Sequence, residues 1–387
     1  MMQGPLALIA EVTHRCPLHC VYCSNPLELS RQQEELKTGA WAGVFEQAAA
    51  MGTLQLHLTG GEPLARKDIA RLAAAGRAAG LYVNLITSGV GMTEQRLDEL
   101  ARAGVEHIQI SLQDSRAEEA DWIAGTQAHA AKLALAALVR MRKLALTLNI
   151  VVHRANLDRI EEMIALAEAT GADRLEIAHV QYYGWALANR EQLLPTRWQV
   201  EQSLTAVEAA RERLKGRMQI DCVTPDYYAR FPKACMGGWG RKIILIDPAG
   251  RALPCHAAGV IPGLSFDNVT AHRLRWIWEE SEAFQMFRGE GWMPEPCLSC
   301  DRRALDFGGC RCQALLLAGD AAKTDPVCEL SPDHAAVQAA IERAQEAIQN
   351  SSVGAGQVPD TRSNALELIH LASIQTEWRY RTNPSRN

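Results

Sequence analysis

Residues 14–26, HRCPLHCVYCSNP, set three cysteines, Cys16, Cys20 and Cys23, in a C-x3-C-x2-C spacing. Three thiolates that close can share one metal centre, yet a tetrahedral zinc or an ordinary iron–sulfur cluster takes four ligands. Thiolates are soft and select zinc or iron–sulfur clusters. A loop that gives three of them to a cubane leaves one iron open to a substrate or cofactor, as an open zinc position admits water. A zinc knuckle with a distant fourth ligand and a set of buried structural cysteines are the other readings of the spacing.

The sequence around this loop reads as repeated βα units. Strand-like runs occupy residues 6–12, 54–60, 82–88, 107–113, 146–152 and 174–180, and amphipathic helical patterns such as WAGVFEQAAAM and RIEEMIALAEATG lie between them. Several of these patterns end at a glycine stop signal. Strands alternating with helices imply a parallel sheet, and continuous apolar strands suit burial on both faces. A closed eight-fold barrel needs about 250 residues, so six units predict an α/β fold in the form of an open, partial (β/α)6 TIM-like barrel. In such folds the C-terminal strand ends carry the chemistry. Polar groups recur there: the three cysteines, TGGEP at 59–63, TSG at 87–89 and SLQ at 111–113.

Composition excludes several classes. The 387 residues carry 40 basic and 45 acidic side chains, with the basic ones scattered, so no stripe for nucleic acid appears. No apolar run reaches the roughly 18 residues of a membrane span. The start MMQGPLALIAEV lacks a basic region before its apolar run, so a cytoplasmic location is expected. In a reducing compartment, eleven cysteines are metal ligands or reactive thiols before they are disulfides.

Eight of the eleven fall between 222 and 328. There RKIILIDPAGRALPC predicts a hairpin turning on Asp247, Pro248, Ala249 and Gly250. The segment that follows is rich in Gly, Pro and Cys, builds little apolar core and depends on metal. Cys222, in the apolar run MQIDCVT, reads as a small buried hydrophobe. Seven remain: Cys235, Cys255, Cys297, Cys300, Cys310, Cys312 and Cys328, one short of two four-ligand sites. Asp306, His256 and Asp301 are the candidates for the missing ligand. HAAVQAAIERAQEAIQ predicts a surface helix, 350–364 a linker, and the last twenty-odd residues a weak tail.

With an aromatic, Tyr22, before the third cysteine of a loop that follows the first barrel strand, the sequence resembles the radical S-adenosylmethionine (SAM) enzymes. The resemblance implies that Cys16, Cys20 and Cys23 are catalytic ligands of a [4Fe–4S] cluster whose open iron takes the amine and carboxylate of SAM. One electron then cleaves SAM to methionine and a 5′-deoxyadenosyl radical. It also implies that Gly60, Gly61, Glu62 and Pro63 form the methionine-binding motif. The two glycines admit close backbone approach, and Glu62 offers a carboxylate to the ammonium. Ser88, Ser111 and Gln113 are candidates for ribose or carboxylate contact, with a plain polar strand end as the other reading. Asn149 and His179, at the ends of the fifth and sixth strands, read either as further site residues or as satisfied packing residues.

The second half is similar to the SPASM domain, which carries two auxiliary clusters in peptide-modifying radical SAM enzymes. The match rests on Cys235, Gly250-x4-Cys255, Cys297-x2-Cys300, the Cys310/Cys312 pair and Cys328, with Asp306 where a cysteine is usual. That departure, with RCPLHCVYCSNPLEL and CMGGWGRK, resembles the branch that crosslinks a precursor peptide in pyrroloquinoline quinone biosynthesis. The branch implies a first auxiliary cluster on Cys235, Cys255, Cys310 and Cys312, and a second on Cys297, Cys300, Asp306 and Cys328, each [4Fe–4S] or [2Fe–2S]. It further implies a carbon–carbon bond between a glutamate and a tyrosine of a PqqA-like peptide, a PqqD-like peptide chaperone and a flavodoxin-type or other low-potential reductant. The domain division expected is 1–215 barrel, 216–234 bridge, 235–335 SPASM, and 336–387 C-terminal helix and flexible tail. Another SPASM-type maturase, making thioether or decarboxylated products, is the alternative within the class. An electron carrier and a zinc protein are the alternatives outside it, although a carrier needs neither an open iron nor GGEP.

Overall fold

A computed structural model describes residues 3–223, 226–353 and 378–383. The six expected strands are present: β1 (Ala7–Thr13), β2 (Gln55–Gly60), β3 (Tyr82–Thr87), β4 (Val105–Leu112), β5 (Ala145–Val152) and β6 (Arg174–His179). All pair in parallel, and helical segments cross over between them, as parallel pairing requires. Glycines at positive φ, such as Gly80 and Gly104, stop the helices at Ile69–Ala78 and Glu94–Arg102.

The sheet does not end with those six strands. β7 (Gln219–Val223) pairs in parallel with β6, and β8 (Ile243–Ile246) pairs in parallel with β1. β9 (Ala252–Leu253) closes the predicted hairpin on β8, through a turn in which Gly250 N–H donates to Asp247 O at 3.0 Å. The order is β7-β6-β5-β4-β3-β2-β1-β8-β9. The cysteine-rich part is therefore anchored into the barrel sheet next to the three-cysteine strand. Cys222 lies on edge strand β7, half-buried rather than fully enclosed.

Apolar packing lies on one face of the strands, while the other face, which the continuous apolar runs predict to be apolar as well, is polar and largely half-buried. Leu8, Ala10, Leu56, Leu58, Val83, Leu85, Ile108, Ile110, Leu148 and Ile150 point into one core with Trp41, Phe45 and Leu72 of the covering helices. The alternate positions carry a cross-strand polar network on the opposite face. Asn84 bonds His57 at 3.1 Å, His107 bonds Thr147 at 2.8 Å, and Gln109 and Asn149 each donate to Glu176 at 2.9 Å. On this inner face His57, His107, Gln109, Asn149 and Glu176 are half-buried and Asn84 and Thr147 buried, so these polar side chains satisfy one another across the strands. Among the described residues no helix is long and apolar enough to cross a membrane.

The helix at Ala335–Val353 matches its expectation. The expected linker falls largely outside the described residues. The expectation of a weak tail fails for residues 378–383, which pack against the three-cysteine loop.

Candidate active site and cluster sites

β1 delivers the chain into the cysteine loop, and the TGGEP turn after β2 clamps that delivery. Gly61 N–H donates to Thr13 O at 2.6 Å, and Glu62 N–H to Arg15 O at 2.7 Å. The two glycines make this approach possible. A Cβ on Gly60, whose φ is +127°, would lie 2.3 Å from Thr13 O; one on Gly61 would lie 2.5 Å from both His14 O and Arg15 O. The close approach expected of these glycines is thus to the backbone that leads into Cys16. Pro63 is buried at the start of the following short helix, Pro63–Ala65.

Glu62 is 1% exposed, and its two oxygens take four donors. Leu64 N–H (2.9 Å) and Thr87 Oγ1 (2.7 Å) serve one oxygen; Ser88 N–H (2.7 Å) and Ser88 Oγ (2.5 Å) serve the other. Burial pushes its pKa up, against the pull of these hydrogen bonds. Glu62 therefore ties GGEP to TSG, and Ser88 faces that carboxylate.

The three thiols sit in low-dielectric surroundings. Burial pushes Cys16 up to about 12, Cys23 up to about 11, and raises Cys20. Thiols held protonated this firmly become ligands when a metal cation takes the place of the proton. Tyr22 Oη accepts from Gln113 Nε2 at 2.8 Å, and Gln113 Oε1 accepts from Lys132 Nζ, which also donates to Ser111 O at 2.9 Å. Tyr22, Ser111 and Gln113, separate guesses in the sequence, are thereby joined through Lys132. That lysine is 1% exposed, and burial lowers its pKa. Asn149 is tied to Glu176 as a packing residue would be, whereas neither ring nitrogen of His179 has a hydrogen-bond partner among the described residues.

An open cleft of about 1020 Å³ borders this loop, lined among others by Arg15, Cys16, Arg31, Glu62, Arg96 and Asn383. Its size is at the upper end of ligand pockets.

The second-half cysteines separate into two groups. Cys235, Cys255, Cys312 and Cys310 lie beside one another in a closed ring, each thiol interacting with two others of the four. Donation from Cys235 and Cys312 holds the Cys255 thiol well below its ordinary value. Cys235 and Cys312 are pushed up by donating to it, and Cys310 is pushed up to about 12 by its bond to Cys235. Four converging sulfurs suit an iron–sulfur cluster. Cys297, Cys300, Asp306 and Cys328 line one small cavity with Thr324, and Cys297 Sγ donates to Thr324 Oγ1 at 3.4 Å. Asp306 is 8% exposed; it accepts from Gly308 N–H at 3.1 Å and faces Arg302 at 3.6 Å. His256 and Asp301 are elsewhere: His256 bonds Glu11 at 2.9 Å, and Asp301 is exposed. Among the described residues no three His, Cys, Asp or Glu side chains converge as tightly as a single-ion site requires.

Sequence reasoning missed the residues that join these groups. Asp325 accepts from Cys310 N–H at 2.7 Å and Val327 N–H at 3.0 Å, between the two cysteine groups, and burial pushes it up to about 6. Arg311, 1% exposed between Cys310 and Cys312, donates to Gly308, Ala321 and Lys323 carbonyls. Tyr183 packs with Cys255, Cys310 and Cys312 while its hydroxyl faces Ser24, next to Cys23. Glu11, on β1, holds His256 of the hairpin and His14. Burial alone would raise its pKa, but bonds from both histidines hold it down at about 2.

A parallel partial barrel with three thiols gathered at its first strand end, joined to a cysteine-rich extension, defines a radical SAM enzyme with auxiliary iron–sulfur sites. Family models agree: the radical SAM superfamily matches residues 10–167, and an iron–sulfur cluster-binding domain matches 235–301. The PqqA peptide cyclase of Methylobacterium nodulans is 56% identical over 339 residues, covering 87% of this chain and 89% of that protein. Those of Gluconobacter oxydans (56%, covering 87% and 94%) and Xanthomonas campestris (55%, covering 88% and 90%) are similar. The chain belongs to the PqqA peptide cyclase family. Streptococcus suis SuiB bound to S-adenosylmethionine shares the fold, with TM-score 0.71 at 18% identity over 85% of this chain and 78% of that one.

Proposed function

We propose that this chain is a peptide cyclase that joins a glutamate and a tyrosine side chain of a PqqA-like precursor peptide by a carbon–carbon bond, in pyrroloquinoline quinone biosynthesis. The carrying observation is the three-thiol loop, clamped by GGEP and bordering an open cleft whose wall includes Cys16 and Glu62. The name of these relatives, PqqA peptide cyclase, supports the substrate.

In this reading Cys16, Cys20 and Cys23 hold the cluster that binds SAM. Cys235, Cys255, Cys310 and Cys312 hold one auxiliary cluster, and Cys297, Cys300, Asp306 and Cys328 the other, with 1–215, 216–234 and 235–335 as barrel, bridge and cluster domain. When bound, these groups supply a hydrogen-abstracting radical and a sink for the surplus electron. The chain supplies position. Glu62 locks the β2 and β3 ends together, the Gly60–Gly61 backbone fixes the approach to Cys16, and Cys20 lies buried while Cys16 opens on the cleft. Lys132 and Gln113 hold Tyr22 against the loop. The cleft admits an extended peptide, presented by a PqqD-like chaperone, and a flavodoxin-type protein is the reductant. The protein works in the cytoplasm.

The test is anaerobic incubation with precursor peptide, chaperone, SAM and reductant. The expected product is lighter than the peptide by the mass of two hydrogens. Formation of 5′-deoxyadenosine without that product would keep the enzyme class and reject the substrate.

A further inference from the structure

Residues 378–383 form an arm that comes back from the far end of the chain onto the three-cysteine loop. Asn189 grips its start, taking Arg379 N–H and donating to Arg379 O, both at 2.8 Å, while the same amide donates to Val21 O at 2.8 Å. Trp378 meets Trp122 edge-on at 5.5 Å, and Tyr380 packs with Val21 and Tyr22. Arg381 is 2% exposed. Its guanidinium donates to His14 O and to Asn383 Oδ1 (3.3 Å), and its charge bears on the Cys23 thiol, while its carbonyl pairs with His19 Nδ1 at 2.7 Å. Its Nε has no partner among the described residues. Asn383 Oδ1 accepts from Cys16 N–H at 3.0 Å, and the residue lines the cleft.

A guanidinium cannot lose its charge in a protein, and burying it unpaired is costly. Among the described residues Arg381 makes no ion pair with a carboxylate, and the three thiols beside it can balance its charge once ionised by metal. Its charge already acts on all three.

We propose that this arm is a working part of the SAM site: Arg381 is a positioning residue that sets the charge beside the cluster of Cys16, Cys20 and Cys23, and Asn383 fixes the loop at Cys16. The inference rests on the reading of those cysteines as cluster ligands. A fixed cation stabilises the reduced, more negative cluster, so its removal lowers the reduction potential. The arm also covers the loop, so its removal exposes iron to chelators.

The experiment is a redox titration followed by electron paramagnetic resonance on reconstituted full-length protein, with iron release to a chelator measured beside it. Wild type, Arg381→Gln, Arg381→Lys and a chain stopped after residue 377 are compared. Arg381→Gln should shift the reduction equilibrium of the SAM cluster at least tenfold toward the oxidised form, which is 59 mV for a one-electron couple. Arg381→Lys should recover most of that shift, because it keeps the charge. The truncated chain should lose iron from the SAM cluster at least tenfold faster, with the auxiliary clusters unchanged. An unchanged SAM-cluster potential in Arg381→Gln overturns the inference, as does a change shared equally by the auxiliary clusters. Absence of a SAM-cluster signal in the wild type would instead reject the reading on which it rests.

Discussion

Substituting Gly61 by alanine should disable the site without touching a thiol. The added Cβ would stand 2.5 Å from His14 O and Arg15 O and 2.7 Å from His14 C, all backbone atoms. Restoring an ordinary contact requires a displacement of about 1 Å, given contacts that are optimal at about 3.5 Å. The hydrogen bonds of Gly61 to Thr13 O and Glu62 to Arg15 O, at 2.6 and 2.7 Å, do not survive such a shift intact. Overpacking of this kind costs about 1–3 kcal/mol, and a buried hydrogen bond adds about 1 kcal/mol. At about 2–4 °C per kcal/mol, the melting temperature should fall by several degrees. The catalytic loss should be larger, because a displacement near 1 Å at a reacting site costs about 10²-fold. The assays are thermal unfolding and 5′-deoxyadenosine formation by the reconstituted enzyme. Gly43→Ala is the control: it lies mid-helix in Thr38–Ala50 with nothing within 4 Å of the new Cβ. That change should stabilise by about 0.5–1 kcal/mol and leave turnover intact. A Gly61→Ala enzyme with wild-type melting temperature and wild-type SAM cleavage would refute the clamp.

Asp306→Ala should keep SAM cleavage but lose crosslinking, while Asp306→Cys should retain a cluster with an altered absorption spectrum; full crosslinking in the alanine variant would remove Asp306 from the ligand set. Glu11 is held at about 2 against an ordinary 4.5, so its bonds to His14 and His256 stabilise fully above about pH 4.5, and that contribution is lost as pH falls toward 2. Acid titration of His256→Ala, followed by circular dichroism, should accordingly show a deficit that is full near neutrality and closes below the ordinary carboxylate range. Cys222→Ala should leave iron content and crosslinking at wild-type levels, because Cys222 lies on edge strand β7 away from both cysteine groups; loss of iron would show otherwise.

The barrel was legible because its six central strands carry a local signal: short β-rich runs, helical patterns and glycine stops at Gly80 and Gly104. β8 was legible as a strand, but its partner β1 lies more than two hundred residues earlier, and no local pattern encodes that pairing. The polar inner face was misjudged because His57, Asn84, His107 and Gln109 are interleaved with strongly apolar neighbours on short strands. The three-cysteine loop and the ligand count in the second half were legible because thiolate chemistry admits few arrangements. The joining residues were not. Lys132 left a trace, a lysine aligned with Leu135, Ala136 and Val139 on the buried face of its helix. Arg381 left a fainter one: WRYR is unusually aromatic for a weak tail, yet nothing in it names Cys16 and Cys23 as its destination.

The central claim is that a radical generated beside Cys16, Cys20 and Cys23 removes hydrogen from the glutamate γ-carbon of a precursor peptide. A peptide deuterated at that carbon, turned over anaerobically with chaperone, SAM and reductant, tests it by mass spectrometry. The account predicts 5′-deoxyadenosine that carries deuterium, together with a crosslinked peptide that keeps one of that carbon's two deuteriums. Crosslinked peptide accompanied by unlabelled 5′-deoxyadenosine would contradict it.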